Sequence, residues 1–428
     1  MRLPFPETPP PGPFRPSFWR SPLRGSWLTS ILGSLLLPMV TVVGLTGFLS
    51  HAAYNPDLGM NAIVARPDDL GFLLFDWPTS PGWLYAFNQG LHVTVGIVAI
   101  PVLLAKLWSV IPRLFTWPPV GSPAQSIERL AIALLVGSAL FEFATGVLNV
   151  QIYYPFRFNF VQAHYYGAIV FLVALAVHVA VKIPTIRRAY RERGVLKPLR
   201  DDLAATRPEP RDPDGGLVAE SPAAPTLSRR GLLAFVGGAS ALLLVVTAGQ
   251  SVGGPLRRLA LLAPRRQEVG PEPNDFPVNK TAQGARVTPQ MVDDGWRLEL
   301  KAGERTTTMS RADLLAMPQQ TEDLPIACVE GWSTTQSWTG VRLAVLAVRA
   351  GAPAGAQVFV ESLQPAGVLR EATLSADQLA NPRSLLALKV NDADLALDHG
   401  FPARVIAPAL PGVHNTKWVA RMTFGAAA

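Results

Sequence analysis

The chain has a single cysteine, Cys328, in 428 residues, so no disulfide within it can stabilise a small fold. Any special part for that sulfur is as a thiolate, either a ligand or a nucleophile. Charge is scarce as well. Only 16% of residues are Asp, Glu, Lys or Arg, against about 25% in a soluble globular chain, while 49% are hydrophobic. A wholly soluble enzyme is thereby disfavoured, and a chain that lies in lipid or joins a membrane part to a soluble part is indicated. Histidine is limited to six residues. Proline and glycine are plentiful, 40 and 35 residues, which predicts substantial linker rather than one seamless core. The net charge of +7 comes from arginines gathered at the ends of apolar runs. That placement suits membrane orientation and argues against a nucleic-acid partner.

Residues 1–26 hold Pro4, Pro6, Pro9, Pro10, Pro11, Pro13, Pro16 and Pro22 with four arginines, and read as a disordered cytoplasmic tail. Four apolar runs follow, at 27–49, 84–108, 127–149 and 162–183. Each matches the roughly 20 helical residues that cross about 30 Å of hydrocarbon, and Trp and Tyr stand near several ends. Residues 27–183 are therefore expected to form a four-span membrane domain, in contact with lipid, and 184–228 a polar, Pro-rich cytoplasmic linker. A milder fifth run at 229–250 reads as an anchor helix, and 251–270 as a second linker. From 271 to 428, short apolar runs alternate with Pro, Gly and Asp breakers, the pattern of an α+β domain with a short helix near 311–317. The fold class is multi-domain: an all-α transmembrane bundle of four spans plus a fifth anchor helix, then an α+β domain.

Orientation follows from Lys and Arg. The tail has four and residues 184–230 have ten, whereas the loop 51–83 has only Arg66 and the turn between the third and fourth runs only Arg157. The tail and linker are expected on the cytoplasmic side, and five spans place the last domain outside it, periplasmic or extracytoplasmic. Ser228-Arg229-Arg230-Gly231-Leu232-Leu233 has the form of a twin-arginine export signal; an ordinary positive stop before a membrane helix has the same form.

Four of the six histidines, His51, His92, His164 and His178, lie in or beside the apolar runs, where ionisable groups are expensive and functional by default. His164 and His178 are separated by about 21 Å of helix and fall within roughly 40° on one face, a spacing that suits two stacked haems. His92 lies about 24 Å and His164 about 28 Å from the cytoplasmic ends of their helices, so the two are level and can bind a haem b iron from both sides. His178, about 8 Å from its end, would serve a second haem, and His51 an outer haem or a quinone headgroup. Interhelical hydrogen bonding is the other role open to all four. Glu142, the one acid deep in a run, suits either proton transfer with a quinone or a structural hydrogen bond. The bundle resembles membrane cytochrome b subunits, which exchange electrons with the quinone/quinol pool.

Taken alone, Cys328 in LPIACVEGWS fits a buried small hydrophobe. Its setting says more. Cys328-Val329-Glu330-Gly331-Trp332-Ser333 followed by Ser337-Trp338-Thr339-Gly340-Val341-Arg342-Leu343 resembles the cysteine segment of the sulfite oxidase family of molybdopterin enzymes. That resemblance implies a molybdenum-molybdopterin cofactor with Cys328 as the catalytic thiolate and the protein ligand to molybdenum. Asn274-Asp275-Phe276-Pro277-Val278-Asn279 resembles the family's early pterin-contacting loop, which gives Asn274, Pro277 and Val278 to the cofactor. The stretch from His399 through Arg404 to Asn415-Thr416-Lys417-Trp418 resembles its closing pattern, with Arg404 and Lys417 on the pterin phosphate and Ser362 as a further contact. In organisation the chain is similar to the bacterial periplasmic methionine sulfoxide reductases, whose separate molybdopterin subunit receives electrons from a haem membrane subunit. His399 stands where those reductases commonly have Asn, and no Tyr or second Arg is assigned to an anion pocket.

The resemblance implies an oxidoreductase that moves electrons between quinone, one or two haems b and molybdenum. The reaction expected is oxygen-atom transfer on a small S-oxide or N-oxide such as a sulfoxide. A sulfite-type dehydrogenase running in the opposite direction is the alternative, and a membrane cytochrome b with a non-catalytic binding ectodomain is another.

Overall fold

The computed structural model describes residues 6, 8–53, 75–119, 123–211, 216–265, 270–367 and 370–425. Arg66 and most of its loop lie outside them, as do residues 1–5 of the tail. Among the described residues five helices are long and apolar enough to cross a membrane: α1 (Ser26–Ala53), α2 (Leu84–Val110), α3 (Pro123–Val150), α4 (Phe160–Arg193) and α5 (Arg229–Thr247). The sequence of each is apolar on nearly every face, which suits a helix surrounded by hydrocarbon. The described chain divides into two compact units. One comprises Met1–Gly44, Val95–Leu148 and Ala163–Val245; the other comprises Leu45–Thr94, Asn149–Gln162 and Val246–Ala428.

In the first unit, Trp27, Leu28 and Leu32 of α1 pack with Val102 and Ala105 of α2 and Val236 of α5, while Val40, Leu103, Ala139 and Phe171 form a second cluster. Ile127, Leu130, Val173, Val181, Phe235 and Leu242 face outward and exposed. Such apolar outer faces match hydrocarbon rather than water.

Two segments differ from the expectation. The Pro-rich tail is packed from Thr8 onward, because its aromatic and arginine side chains find partners. Trp19 Nε1 donates to Pro13 O at 2.8 Å, and the Arg24 guanidinium lies 5.1 Å from the Trp19 ring and 4.4 Å from that of Trp108. The linker is also ordered over much of its length. α4 continues through Pro184 to Arg193, and Glu209, buried, caps α1 by accepting from Trp27 N at 2.9 Å and Leu28 N at 3.3 Å. A carboxylate there meets both the unsatisfied amides and the positive end of the helix dipole. Arg229, first of the arginine pair, is buried 3.9 Å from Glu209 and donates to Arg207 O at 2.9 Å. Glu209→Ala is expected to cost about 1–2 kcal/mol through the lost cap, read as a lower Tm of the detergent-purified chain.

Among its described residues the second unit carries ten strands in two sheets. The first has the order β2 (Arg305–Ser310), β1 (Arg297–Ala302), β10 (Val419–Gly425), β5 (Gln357–Ser362), β6 (Glu371–Leu374). The second has the order β3 (Gln320–Ala327), β4 (Ser333–Arg342), β7 (Leu385–Val390), β8 (Ala393–Asp394), with β9 (Arg404–Ile406) also pairing β7. Alternating burial along β1 puts Leu298, Leu300 and Ala302 into a core with Val358, Val360, Met422 and Phe424. Short helices follow the expected signals. That at Arg311–Ala316 begins with a capping box between Ser310 and Asp313. β10 runs parallel to β1 and antiparallel to β5, so the chain crosses from the second sheet to the first between β9 and β10. The segments that resemble a cofactor site lie at that crossover and directly after β3.

Candidate active site

Cys328 follows the last residue of β3 and is buried. Its loop closes as a turn: Gly331 N donates to Cys328 O at 3.0 Å and Cys328 N to Trp332 O at 3.0 Å. Gly331 has φ +91°, a conformation that favours glycine. Glu330 Oε2 accepts from Trp332 Nε1 at 2.6 Å and from Arg265 Nε at 3.2 Å. Arg265 also donates to Val278 O and Asn279 O, which ties the early loop to the cysteine loop. Burial, then the charge of Glu330, pushes the Cys328 thiol up. Ala327 bridges Pro411, so the cysteine adjoins the crossover segment.

That segment is pinched at its base. Val405 N donates to Thr416 O at 2.9 Å and Val419 N to Ala403 O at 3.0 Å. Within it Arg404, Asn415, Thr416 and Lys417 are all buried. Lys417 Nζ donates to Lys280 O at 2.9 Å and Asp398 O at 2.7 Å. Arg404 Nη1 donates to His399 O at 3.2 Å, but its Nε, with Asn415 Nδ2 and Thr416 Oγ1, is buried without a hydrogen-bond partner. Burial holds Arg404 down at about 9 and, with the repulsion of Arg404, Lys417 well below its ordinary value. Gly400, φ +109°, fits between the side chains of Arg404 and Lys417, where a Cβ would lie 3.1–3.2 Å from them. A small, partly open pocket is lined by Asn279, Lys280, Gln364, Gly412, Asn415 and Lys417, among others. Buried cations and unsatisfied donors around a pocket are costly unless an anion completes them.

The remaining expected residues support this cradle. Asn274 uses both ends of its amide on backbone, accepting from Ala396 N at 2.8 Å and donating to Asp394 O at 3.0 Å. Pro277 is buried next to Val278, the acceptor of Arg265. Ser362 Oγ donates to Lys417 O at 2.7 Å and so holds the lysine's backbone. The His399 ring stacks on Phe276 at 3.6 Å, with Nε2 2.8 Å from Asn274 O. Burial, then the repulsion of Arg404 and Lys417, lowers His399 to about 3. Because His399 is neutral when folded and ordinary when unfolded, the stability it contributes is present above pH 6.5 and lost as pH falls toward about 3. His399→Asn is expected to flatten the fall of Tm between pH 7 and pH 4.5, leaving the share due to buried His414, lowered to about 4.

Lys280, Gln364 and Arg265 escaped the sequence reading, and Asn279 and Glu330 stood in the quoted segments without a role. Tyr154 escaped it as well; its Oη donates to Asn149 Oδ1 at 3.0 Å. Burial, then the charges of Glu330 and Cys328, pushes Tyr154 up to about 12.

Two of the histidines on the apolar helices, His92 and His164, stand beside threonine hydroxyls. Within the second unit His92 Nδ1 lies 3.3 Å from Thr46 Oγ1, beside Gly47, and His51 is buried. Within the first unit His164 Nδ1 lies 3.2 Å from Thr145 Oγ1 and 3.0 Å from Glu142 Oε2, beside Gly146. Of the two roles open to Glu142, the hydrogen bond is the one visible here. His178 is half-buried, with the charges of Lys106, Lys182 and Arg113 acting on it. Among the described residues no group of three or more His, Cys, Asp or Glu side chains forms a metal site.

Cys328, Arg404 and Lys417 all lie within a stretch that known proteins share. Residues 285–428 match the family model described as oxidoreductase molybdopterin binding domain, and this region belongs to the sulfite oxidase family of molybdopterin oxidoreductases. Rat mitochondrial sulfite oxidase is 28% identical over 163 residues, 32% of this chain and 30% of the relative. The uncharacterized oxidoreductase YuiH of Bacillus subtilis is 31% identical over 117 residues, 27% of this chain and 58% of the relative. The protein-methionine-sulfoxide reductase catalytic subunit MsrP of Burkholderia mallei is 28% identical over 144 residues, 30% of this chain and 43% of the relative. The chain thus spans less than a third of the sulfite oxidases of rat and Drosophila that it matches, 30% and 28% of their lengths.

Proposed function

We propose that this chain is a membrane-anchored molybdopterin oxidoreductase that moves electrons between the quinone pool, haem b on its membrane histidines, and a molybdenum centre on Cys328. The observation that carries the reading is the buried set Arg404, Asn415, Thr416 and Lys417, whose unsatisfied donors and positive charge suit a pterin phosphate. Bound there, the cofactor supplies oxygen-atom transfer through a metal that changes oxidation state. The residues do the rest. Arg404 and Lys417 hold the phosphate, Ser362 and Gly400 keep the lysine in place, and Cys328 gives its sulfur to the metal. Arg265 and Glu330 fix the loop that presents it.

The helical region fits haem through chemistry of the same kind. A ligating imidazole is usually held by a hydrogen bond from its second nitrogen. Thr46 stands at that nitrogen of His92, and Thr145 with Glu142 at that of His164. Five apolar helices with exposed apolar faces support the membrane placement, and the arginine distribution supports a cytoplasmic N-terminal side and an extracytoplasmic catalytic domain.

Reduction of a small S-oxide or N-oxide is the direction proposed. Similarity to sulfite oxidases favours a second reading, sulfite oxidation with electrons passed to quinone. One experiment decides. Molybdenum and iron are counted per polypeptide in the detergent-purified chain, and the haem band is then followed with methionine sulfoxide and with sulfite. One molybdenum with one or two irons, and a reduced haem reoxidised by methionine sulfoxide, supports the first direction; an oxidised haem reduced by sulfite supports the second. Iron without molybdenum overturns the enzyme reading and leaves a cytochrome with a binding domain.

A further inference from the structure

The cysteine loop does not leave its backbone to water. Gln89, near the start of α2 and buried, donates Nε2 to Val329 O at 2.7 Å, while its own Oε1 accepts from Ser50 Oγ of α1 at 2.8 Å. Asn149 Nδ2 reaches the same Val329 carbonyl at 3.4 Å. Ser251 Oγ donates to Gly331 O, and Arg257 donates to Ser333 O. Three alternate carbonyls of one loop therefore end on side chains of the helical segments within the same unit. Surface loops usually meet solvent instead. The approach is also close in apolar contact: a Cβ on Gly331 would lie 2.7 Å from the Val93 side chain. Val93 is covalently next to His92. On the other side, the 3.0 Å hydrogen bond from Gly331 N to Cys328 O closes a turn, which keeps the Cα atoms of Cys328 and Gly331 within about 7 Å.

We propose that this contact is the electron junction of the chain: the outer end of α2, through Val93 and the Gln89 to Val329 hydrogen bond, couples a haem on His92 directly to molybdenum on Cys328. The inference rests on the haem reading given above and adds where the electron crosses and which residues hold the crossing. The step is an outer-sphere transfer of one electron, ferrous haem becoming ferric and molybdenum(VI) becoming molybdenum(V), with no bond made or broken; quinol is the source of the electron. Gln89 is a positioning residue, since it touches the loop and not the metal. Its buried amide, fixed from α1 by Ser50, sets the height of the loop above Val93. No diffusing carrier is needed, because both partners of the transfer belong to one packed unit.

The test uses the full chain in detergent with both metals counted. A deazaflavin flash reduces the haem, and its reoxidation by molybdenum is followed optically without any substrate. The wild type is expected to reoxidise in a first-order phase independent of protein concentration. Gln89→Leu and Val93→Ala are expected to slow that phase at least about tenfold, with metal content and haem spectrum unchanged. Turnover of methionine sulfoxide or sulfite with a dye that exchanges electrons at the molybdenum directly should be unaffected, which a merely structural role would not predict. Val93→Ala serves if Gln89→Leu fails to fold. Rates within about twofold of wild type in the variant that folds overturn the junction, as does a wild-type phase that depends on protein concentration. Absence of iron in the wild type overturns the haem reading itself, and the metal count tells that failure from the other.

Discussion

Cys328→Ser is expected to abolish oxygen-atom transfer while leaving a folded chain that still binds the pterin. The thiol is buried at the end of β3 in a turn closed by backbone hydrogen bonds, so serine, smaller and nearly the same shape, disturbs little else. Chemistry is another matter. A hydroxyl is a harder, far less acidic donor than a thiolate, and the metal loses its one protein ligand. Changes beyond the ligand shell commonly cost 10–100-fold in metal sites, so loss of the ligand itself is expected to exceed about 100-fold in turnover. Activity with methionine sulfoxide and with sulfite, measured beside the pterin content of the same sample, checks both halves. A variant that retains turnover with both metals bound would remove Cys328 from the catalytic centre.

Arg404→Met is expected to move cofactor affinity and bare-protein stability in opposite directions. In the folded chain Arg404 is fully buried, its Nε has no partner, and burial lowers it to about 9. An unpaired buried cation opposes folding, and a packed apolar side chain of similar length relieves that cost. Cofactor-free Arg404→Met should therefore melt higher than cofactor-free wild type. With cofactor the sign reverses, since a charge-assisted hydrogen bond to phosphate is lost and affinity falls by about 10–100-fold. The pH dependence carries the same signature. The folded value lies below the unfolded one, so above about pH 9 the unfolded chain binds the extra proton, and wild-type apo stability rises with pH there. The variant should lack that rise. Molybdenum retained after gel filtration and melts of the apo forms measure the two effects.

What could be read from the chain was what lies contiguous in it. The cysteine segment, the closing stretch from His399 to Trp418 and the five apolar runs are each local patterns, and each reappears as a local structure. Residues brought in by topology were not legible. Gln364, just after β5, meets Lys280 from the segment before β1 at 2.9 Å, and Tyr154 adjoins the cysteine loop from a turn between helices. Asn274 is expected as a contact to the pterin, whereas the structure shows both ends of its amide spent on backbone. Composition misled at the tail and linker. Proline content argued for disorder there, yet Trp19, Arg24 and Glu209 each hold a specific partner, and one such anchor outweighs several neutral residues.

The placement of β10 has a consequence for how the molecule is made. The loop proposed to hold the pterin phosphate lies between β9 and β10, and it is pinched shut by Val405 on Thr416 and by Val419 on Ala403. β10 joins the sheet between strands that are synthesised long before it. While the ribosome is still adding residues, the gap between β1 and β5 stays open and the loop has no closed base. The base of that loop therefore closes only once β10 has docked between β1 and β5. A chain that ends before residue 419 would carry Cys328, Arg404 and Lys417 and lack the Val419 to Ala403 hydrogen bond that closes the base of their loop.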